Sequence, residues 1–491
     1  MDMTYSRSAL RTLRLGSTLV AALLIGCIEA PEPEGVAEAI GALVADFHAQ
    51  HQFSGVALVS QGDSIVFHGA VGFADVGLGV KNTPSTRFRV ASITKIFTSI
   101  LVLQMADQGL LMLDDPIGRH VDTRGSALGE VVTVRHLLTH TSGLPREYLE
   151  GEPDPRREYR LTDLVAAVTE SAPSDLSPGG QVAYSNAGFV LLAAAIESIT
   201  NMKYRDAVKA RILDPLGMAD SGVEEMPAFV VPGLARGYRL RMGTYIHADR
   251  GGMAAARGNG GIYSTAHDLQ RLDAALRHGE ILSSESQEFM FEQGTGPFAI
   301  GWQVGDPPNG YPLDLGRLAW ARGANPGGYR AQWTRELEGD VTVILLTNLD
   351  SAPRHDLTAR IFHILRGSPT APSPASLGLR VLTTLEDHGD SAAFAQLTTA
   401  NVSAETRAAA VNELVELGHH RIRAQTAQSA IPLFRLADRA FPETPGIITS
   451  LAYAYLESGL WTEAQRLAEQ ALVISPKDPD ARMVLAEATR H

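Results

Sequence analysis

A single cysteine, Cys27, is the whole thiol content of this 491-residue chain, which excludes an internal disulfide and any multi-thiolate metal site. Positive charge is also scarce: 42 lysines and arginines stand against 55 acidic residues, for a formal net charge of −13. A nucleic-acid surface needs a basic stripe, and none is found, so DNA and RNA are excluded as partners. The apolar run from Leu15 to Gly26 falls short of the roughly 20 residues that a membrane-crossing helix requires. What remains is the balance of a folded globular chain, 45% hydrophobic and 20% charged. Its length suits two or three domains, each with its own core.

The N-terminus has an export layout, with Arg7, Arg11 and Arg14 ahead of that apolar run. Leu24-Ile25-Gly26-Cys27 resembles a lipobox, whose cysteine is acylated and becomes the mature N-terminus. Conventional cleavage after Ile28-Glu29-Ala30 would leave Pro31 next, a poor fit for ordinary signal peptidases. Residues 1–26 are therefore expected to be a lipoprotein-type signal and Cys27 a lipidation site, with acyl chains holding the chain at a membrane that no helix crosses. A plain signal or a short uncleaved anchor are the alternatives. The acidic, proline-rich stretch 27–35 reads as a tether.

Folding is expected from Val36. Ile40, Leu43, Val44 and Phe47 recur at helical spacing, and strands follow at Gly55 to Gln61 and Asp63 to Gly69, about Gly62. Val341 to Thr347 reads as a buried strand and Asp356 to Leu365 as a helix. First and last helices would flank one antiparallel sheet, with an all-helical insert between, over residues 36–366. Residues 367–375 are a linker by composition. Beyond them, Ala430, Phe434, Ala437 and Pro442 are matched 34 residues later by Ala464, Ala468, Ala471 and Pro476, and Leu417-Gly418 by Leu451-Ala452. That period is the signature of tetratricopeptide-like helix pairs, so residues 376–491 are expected to be an all-α repeat domain with flanking helices completing two clear copies. An unrelated helical bundle is the alternative.

Ser92 and Lys95 stand three apart where a loop gives way to the apolar segment Ile96, Phe97, Ile100, Leu101, Leu103. Residues i and i+3 share a helix face, so Lys95 can reach the Ser92 hydroxyl. A helix apolar all round is a buried one, and burial lowers a lysine pKa, which makes a proton-accepting amine available. Backbone amides at a helix start can hold an oxyanion. Alone, Ser-x-x-Lys is a weak pattern, since Ser92 could equally be a helix cap. Tyr184-Ser185-Asn186 follows, after Pro178-Gly179-Gly180 and before an apolar helix from Phe189 to Ile196. A tyrosine beside a cation can relay a proton, and an Asn amide can hold a lysine or a substrate carbonyl. The plain alternative makes Asn186 a cap and Tyr184 a packed aromatic.

Ser92-Ile-Thr-Lys95 and Tyr184-Ser-Asn186, in this order and spacing, resemble the first two motifs of the class C β-lactamase, DD-peptidase and family VIII esterase group. Leu137-Leu-Thr-His-Thr-Ser-Gly-Leu-Pro145, Pro215-Leu-Gly-Met218 and Gly260-Gly-Ile-Tyr-Ser-Thr-Ala-His-Asp-Leu269 add to the likeness. The resemblance implies an α+β fold, a covalent acyl-serine intermediate, and no metal or organic cofactor. It makes Ser92 the nucleophile, Lys95 and Tyr184 its proton-handling partners and Asn186 a substrate-side residue. His136 and His140 become structural. The family's third motif, Lys or His, any residue, then Gly, falls in Trp320-Ala-Arg-Gly-Ala-Asn-Pro-Gly-Gly-Tyr329. Counting from Pro326 puts Ala321 at the cationic position and Gly323 at the glycine, with the Ala324 amide as second oxyanion donor. Counting from Tyr329 puts Arg322 at the cationic position and loses the glycine.

The expected activity is hydrolysis of small esters, D-Ala-D-Ala-type amides or β-lactams. Neutral esters are favoured because Ala321 cannot hold a carboxylate, and strand alternation should turn Arg322 away from the cleft. The rival reading is a weak or inactive envelope lipoprotein whose helical repeats bind a peptide or protein.

Overall fold

The run Val56-Ala57-Leu58-Val59 is apolar at every position, so a strand here must be covered on both faces. A computed structural model describes residues 33–490, except 150–152, 155–156, 225–229, 242–243, 249–252, 254, 295, 369–376, 400–401, 403 and 424–425. Cys27, the export segment and most of the expected linker lie outside the described residues. Gly55–Gln61 is an inner strand of a six-stranded antiparallel sheet. The order across it is Gln303–Gly305, Leu318–Ala324, Arg330–Glu336, Val341–Thr347, Gly55–Gln61 and Ser64–Val71.

Side chains alternate across this sheet. Val56, Leu58, Ile344 and Leu346 enter one core; Ala57, Val59, Val343 and Leu345 enter another. The second core is closed by the helices Pro33–Ala49 and Arg354–Leu365, through Ile40, Phe47, Leu357 and Phe362. Each such fully buried large side chain contributes about 1.5–3 kcal/mol. The first core is closed by the helices Thr94–Asp107, Asn186–Thr200 and Ala266–His278. Terminal helices on one face and the insert on the other form the expected layer arrangement.

Several boundaries and one content differ from expectation; the second strand, for one, runs from Ser64 to Val71 rather than from Asp63 to Gly69. The first helix begins at Pro33, so the tether does not extend to 35. Proline is well placed there, because a helix's first residues have no intrahelical partner for an N–H. The last helix begins at Arg354 rather than Asp356. The insert is mainly helical but also holds short strands: Phe88–Arg89, Ile262–Ser264 and Gly222–Val223 in one small sheet, and Phe73–Asp75 with Val80–Lys81 and Tyr238–Arg241 with Thr244–His247 in two ribbons. Elements of two to four residues are too short to display an alternating pattern.

Beyond the linker the chain is helical, with Leu377–His388, Asp390–Thr398, Ala404–Arg423, Ile431–Ala440, Pro445–Glu457, Trp461–Ile474 and Pro479–Ala488. The 34-residue register appears as matched burial: Ala430 and Ala464, Phe434 and Ala468, and Ala437 and Ala471 are all fully buried. Gly418 accepts the Phe434 ring so closely that a Cβ there would lie 2.5 Å from it. Among the described residues no helix is long and apolar enough to cross a membrane.

Candidate active site

Ser92 lies in the 3₁₀ turn Ala91–Ile93 that leads into the helix Thr94–Asp107. Ala91, just before it, has φ +47°, a left-handed conformation that a non-glycine residue adopts at a cost of about 1–3 kcal/mol and that clusters at functional sites. This turn fits against the strand Leu318–Ala324. A Cβ on Gly323 would lie 2.0 Å from the Val90 carbonyl and 3.3 Å from the Ala91 side chain. Only glycine permits that approach, so the register with Ala321 at the cationic position and Gly323 at the glycine is the one adopted.

Lys95 sits one helical turn on and is 2% exposed. Its Nζ donates to Ser92 Oγ at 3.3 Å, to Asn186 Oδ1 at 2.9 Å and to the Asn259 carbonyl at 2.9 Å. Tyr184 donates to Ser92 Oγ at 2.9 Å, and the lysine nitrogen is 4.8 Å from the Tyr184 ring centre. Asn186 is oriented by Glu147, which accepts from its Nδ2 at 2.8 Å. Burial lowers the Lys95 pKa, against the partial opposition of Tyr184 and Glu147. Burial alone would raise the Tyr184 pKa, but Lys95 and the hydrogen bonds shared with Lys95 and Ser92 outweigh it, leaving the phenol below its ordinary value. A neutral amine has two N–H donors and one lone pair. With Asn186 Oδ1 and Asn259 O taking the donors, the lone pair is aimed at Ser92. The structure thus brings Ser92, Lys95, Tyr184 and Asn186 together.

Gly323 and Ala324 complete the constellation from the sheet. The edge strand Gln303–Gly305 pairs only with Leu318–Trp320, so from Ala321 onward the edge is left uncovered. Along it runs a two-lobed cleft. One lobe, of about 350 Å³, lies between Tyr148, Met253 and Asn325. The other, of about 400 Å³, lies between Tyr184, Phe298 and Trp320. Ser92, Arg146 and Ala324 border both.

Ala321 is buried at this wall, and its own side chain carries no charge. Arg322 keeps the expected alternation. It lies opposite Gln332, whose side chain bonds Tyr311 and Thr358 on the face covered by the helix Arg354–Leu365, whereas Ala321 lies opposite Trp333 and shares the first core with it. Arg322 borders the lobe at the open strand edge, but its side chain belongs to the opposite face.

His136 and His140 are engaged with structural partners. His136 Nδ1 accepts from Thr133 N at 3.2 Å in a capping box. His140 accepts from Ser185 N at 3.1 Å and packs its ring 4.5 Å from that of Tyr184. Burial, with Lys95 adding to it, pushes the His140 pKa down to about 3, so it is a neutral support behind the tyrosine. Two contributors were not found in the sequence: the Asn259 carbonyl and Tyr148. Asn259 acts through its backbone, which no residue type announces. Gly258 beside it was the available signal, with φ +74° and a Cβ position 2.3 Å from the Phe189 carbonyl. Tyr148 donates to the Ala255 carbonyl and accepts from Asn259 Nδ2 at 3.4 Å, pinning that loop. Among the described residues, no group of three or more His, Cys, Asp or Glu is placed to hold a metal ion.

Known proteins share sequence and fold with this chain. The chain is 28% identical over 343 residues to penicillin-binding protein 4* of Bacillus subtilis, covering 65% of this chain and 74% of that one. It is 30% identical over 340 residues to esterase EstB of Burkholderia gladioli, covering 60% and 85%. A solved penicillin-binding protein from Bacillus halodurans superposes with a TM-score of 0.54 at 26% identity, over 65% of this chain and 98% of that one. Residues 421–488 match the tetratricopeptide repeat model. Residues 40–366, which include every residue of the constellation, match the Beta-lactamase family model, and the chain belongs to that family.

Proposed function

We propose that the chain is a serine hydrolase that forms an acyl-enzyme on Ser92. The observation that carries this is the Ser92 hydroxyl held at 2.9 Å by Tyr184 and 3.3 Å by a buried lysine. Ser92 Oγ attacks a carbonyl carbon while its proton passes to the Lys95–Tyr184 pair, which titrates as a unit. The amides of Ser92 and Ala324 hold the oxyanion. Collapse breaks the bond to the leaving group, which takes the proton. Water then attacks the acyl carbon, its proton goes to the same pair, and Ser92 Oγ regains a hydrogen as the acid departs.

Small acyl esters are the favoured substrates, with D-Ala-D-Ala-type amides and β-lactams as the wider class, since an ester needs no charged contact beside its scissile bond and Ala321 offers none. Relatives named as an esterase and as a D-alanyl-D-alanine-carboxypeptidase/endopeptidase support that range. Export and acylation of Cys27 at a cell envelope are part of the proposal, on the strength of the N-terminal sequence. The repeats are proposed to dock a peptide or protein. The deciding experiment is a fluorophosphonate probe on the purified protein. Covalent label at Ser92, absent in Ser92→Ala, is the expected result. An unlabelled wild type would leave the scaffold reading in its place.

A further inference from the structure

The peptide group joining Gly323 to Ala324 has different surroundings at its two ends. Gly323 lies opposite Ala331 on the neighbouring strand. Arg354 Nη1, from the first turn of the helix Arg354–Leu365, donates to the Gly323 carbonyl at 2.7 Å and to the Ala331 carbonyl at 2.6 Å. One nitrogen reaches both oxygens only if each carbonyl points toward the other strand. A trans peptide directs its C=O and N–H oppositely. The Ala324 N–H therefore points out from the uncovered edge, into the cleft that Ala324 lines on both lobes.

Arg354 is a largely buried cation whose neighbours are also cationic. Burial, with Arg330 and Arg322 adding to it, lowers its pKa to about 10. Asp350 pairs with Arg330 and Arg239, and among the described residues no ion pair involves Arg354. Its charge is thus directed at two backbone carbonyls, an arrangement that packing alone does not call for. A cation hydrogen-bonded to an amide oxygen polarises the whole peptide unit and makes its N–H a stronger donor. The gain is largest when the acceptor carries full negative charge, which distinguishes the transition state from the bound ester.

We propose that Arg354 is a positioning residue for acyl transfer, which clamps and polarises the Gly323–Ala324 peptide so that the Ala324 N–H is aimed and strengthened as an oxyanion donor. The proposal rests on the acyl-serine reaction above. It is tested on the full chain with Arg354→Gln, which keeps a neutral donor, and Arg354→Lys, which keeps a cation. The readouts are kcat and KM for p-nitrophenyl butyrate and the Kd of phenylboronic acid, whose tetrahedral adduct with Ser92 places a negative oxygen where the oxyanion forms.

Removing an oxyanion donor outright costs about 10²–10³ in rate, and weakening one should cost less. Arg354→Gln should therefore lower kcat roughly tenfold with KM within about twofold, and raise the boronate Kd in the same proportion as kcat/KM falls. Arg354→Lys should recover most of both. Wild-type kcat in Arg354→Gln, or a loss carried by KM with unchanged boronate affinity, overturns the proposal. If Arg354→Gln does not fold, Arg354→Lys decides alone: a roughly two- to fivefold fall shared by kcat and boronate affinity supports it, and wild-type values overturn it. A wild type inert toward both ester and boronate would bring down the acyl-serine reading itself, a failure distinct from either outcome in the variants.

Discussion

Lys95 is held among three acceptors at full burial, and its depressed pKa makes deprotonation accessible at lower pH than for a free lysine. Lys95→Ala and Tyr184→Phe are each expected to cost about 10²–10⁴ in kcat, as loss of general acid–base catalysis does. The acid limb of kcat/KM against pH should lie below the ordinary range of lysine and tyrosine, because both pKa values are lowered. Full activity in either variant would refute the assigned roles. Ala321→Lys restores a cation beside the scissile bond. A charge-assisted hydrogen bond of about 1.5–3 kcal/mol should then shift the nitrocefin-to-p-nitrophenyl butyrate ratio of kcat/KM toward the lactam by roughly 10- to 150-fold. An unchanged ratio would mean that position 321 does not set the preference. His140 makes a stability prediction. Its folded pKa of about 3 lies below the ordinary 6.5, so between those values the unfolded chain binds a proton that the folded one does not. Its contribution is full above pH 6.5 and is lost as pH falls, by about 2 kcal/mol at pH 5. Asparagine can accept from Ser185 N and tolerates the φ of +58°. His140→Asn should therefore flatten the dependence of Tm on pH between 7 and 5, and a slope equal to that of the wild type would count against the assignment.

At the scale of elements, the nucleophile turn and the third-motif strand are fitted to each other by the missing side chain of Gly323. Gly323→Ala puts a Cβ 2.0 Å from the Val90 carbonyl, and backbone cannot yield without moving the turn or the strand. Both oxyanion donors shift with them, so kcat should fall at least about 100-fold, with a lower Tm and slower fluorophosphonate labelling. Retention of wild-type labelling rate would show that the contact is compliant. These elements also show what could be read from the residue string. Ser92 to Lys95 was legible because side chains at helix spacing carry the chemistry, and Tyr184 to Asn186 because the triplet leads into an apolar helix and resembles a family motif. The central strands were legible because two-sided burial demands unbroken apolar runs such as Val341 to Thr347. Asn259 was hidden because it works through a carbonyl, and Arg354 because its target, Gly323, lies 31 residues back along the chain. Arg322 was legible because alternation places it with Gln332, on the face opposite Ala321.

For the whole molecule, every residue of the constellation precedes the linker, and the repeat helices have cores of their own. A chain ending at residue 375 is expected to keep kcat/KM for p-nitrophenyl butyrate within about threefold of the full-length value. Loss of activity in a truncation with an intact near-ultraviolet dichroism spectrum would show that the repeats complete the cleft. The sheet has a consequence in time rather than in space. Its central seam joins Gly55–Gln61 to Val341–Thr347, and Thr347 Oγ1 reaches the Ser54 carbonyl across 293 residues of sequence. Contacts of that range close late, because the loop entropy must be met before the pairing returns anything. During synthesis the hairpin Gly55–Val71 emerges long before its partner strand, with Val56 and Leu58 uncovered, and Ser92 has no oxyanion peptide until residues 323 and 324 arrive. The order of the chain therefore withholds catalytic competence until nearly the whole domain has been made.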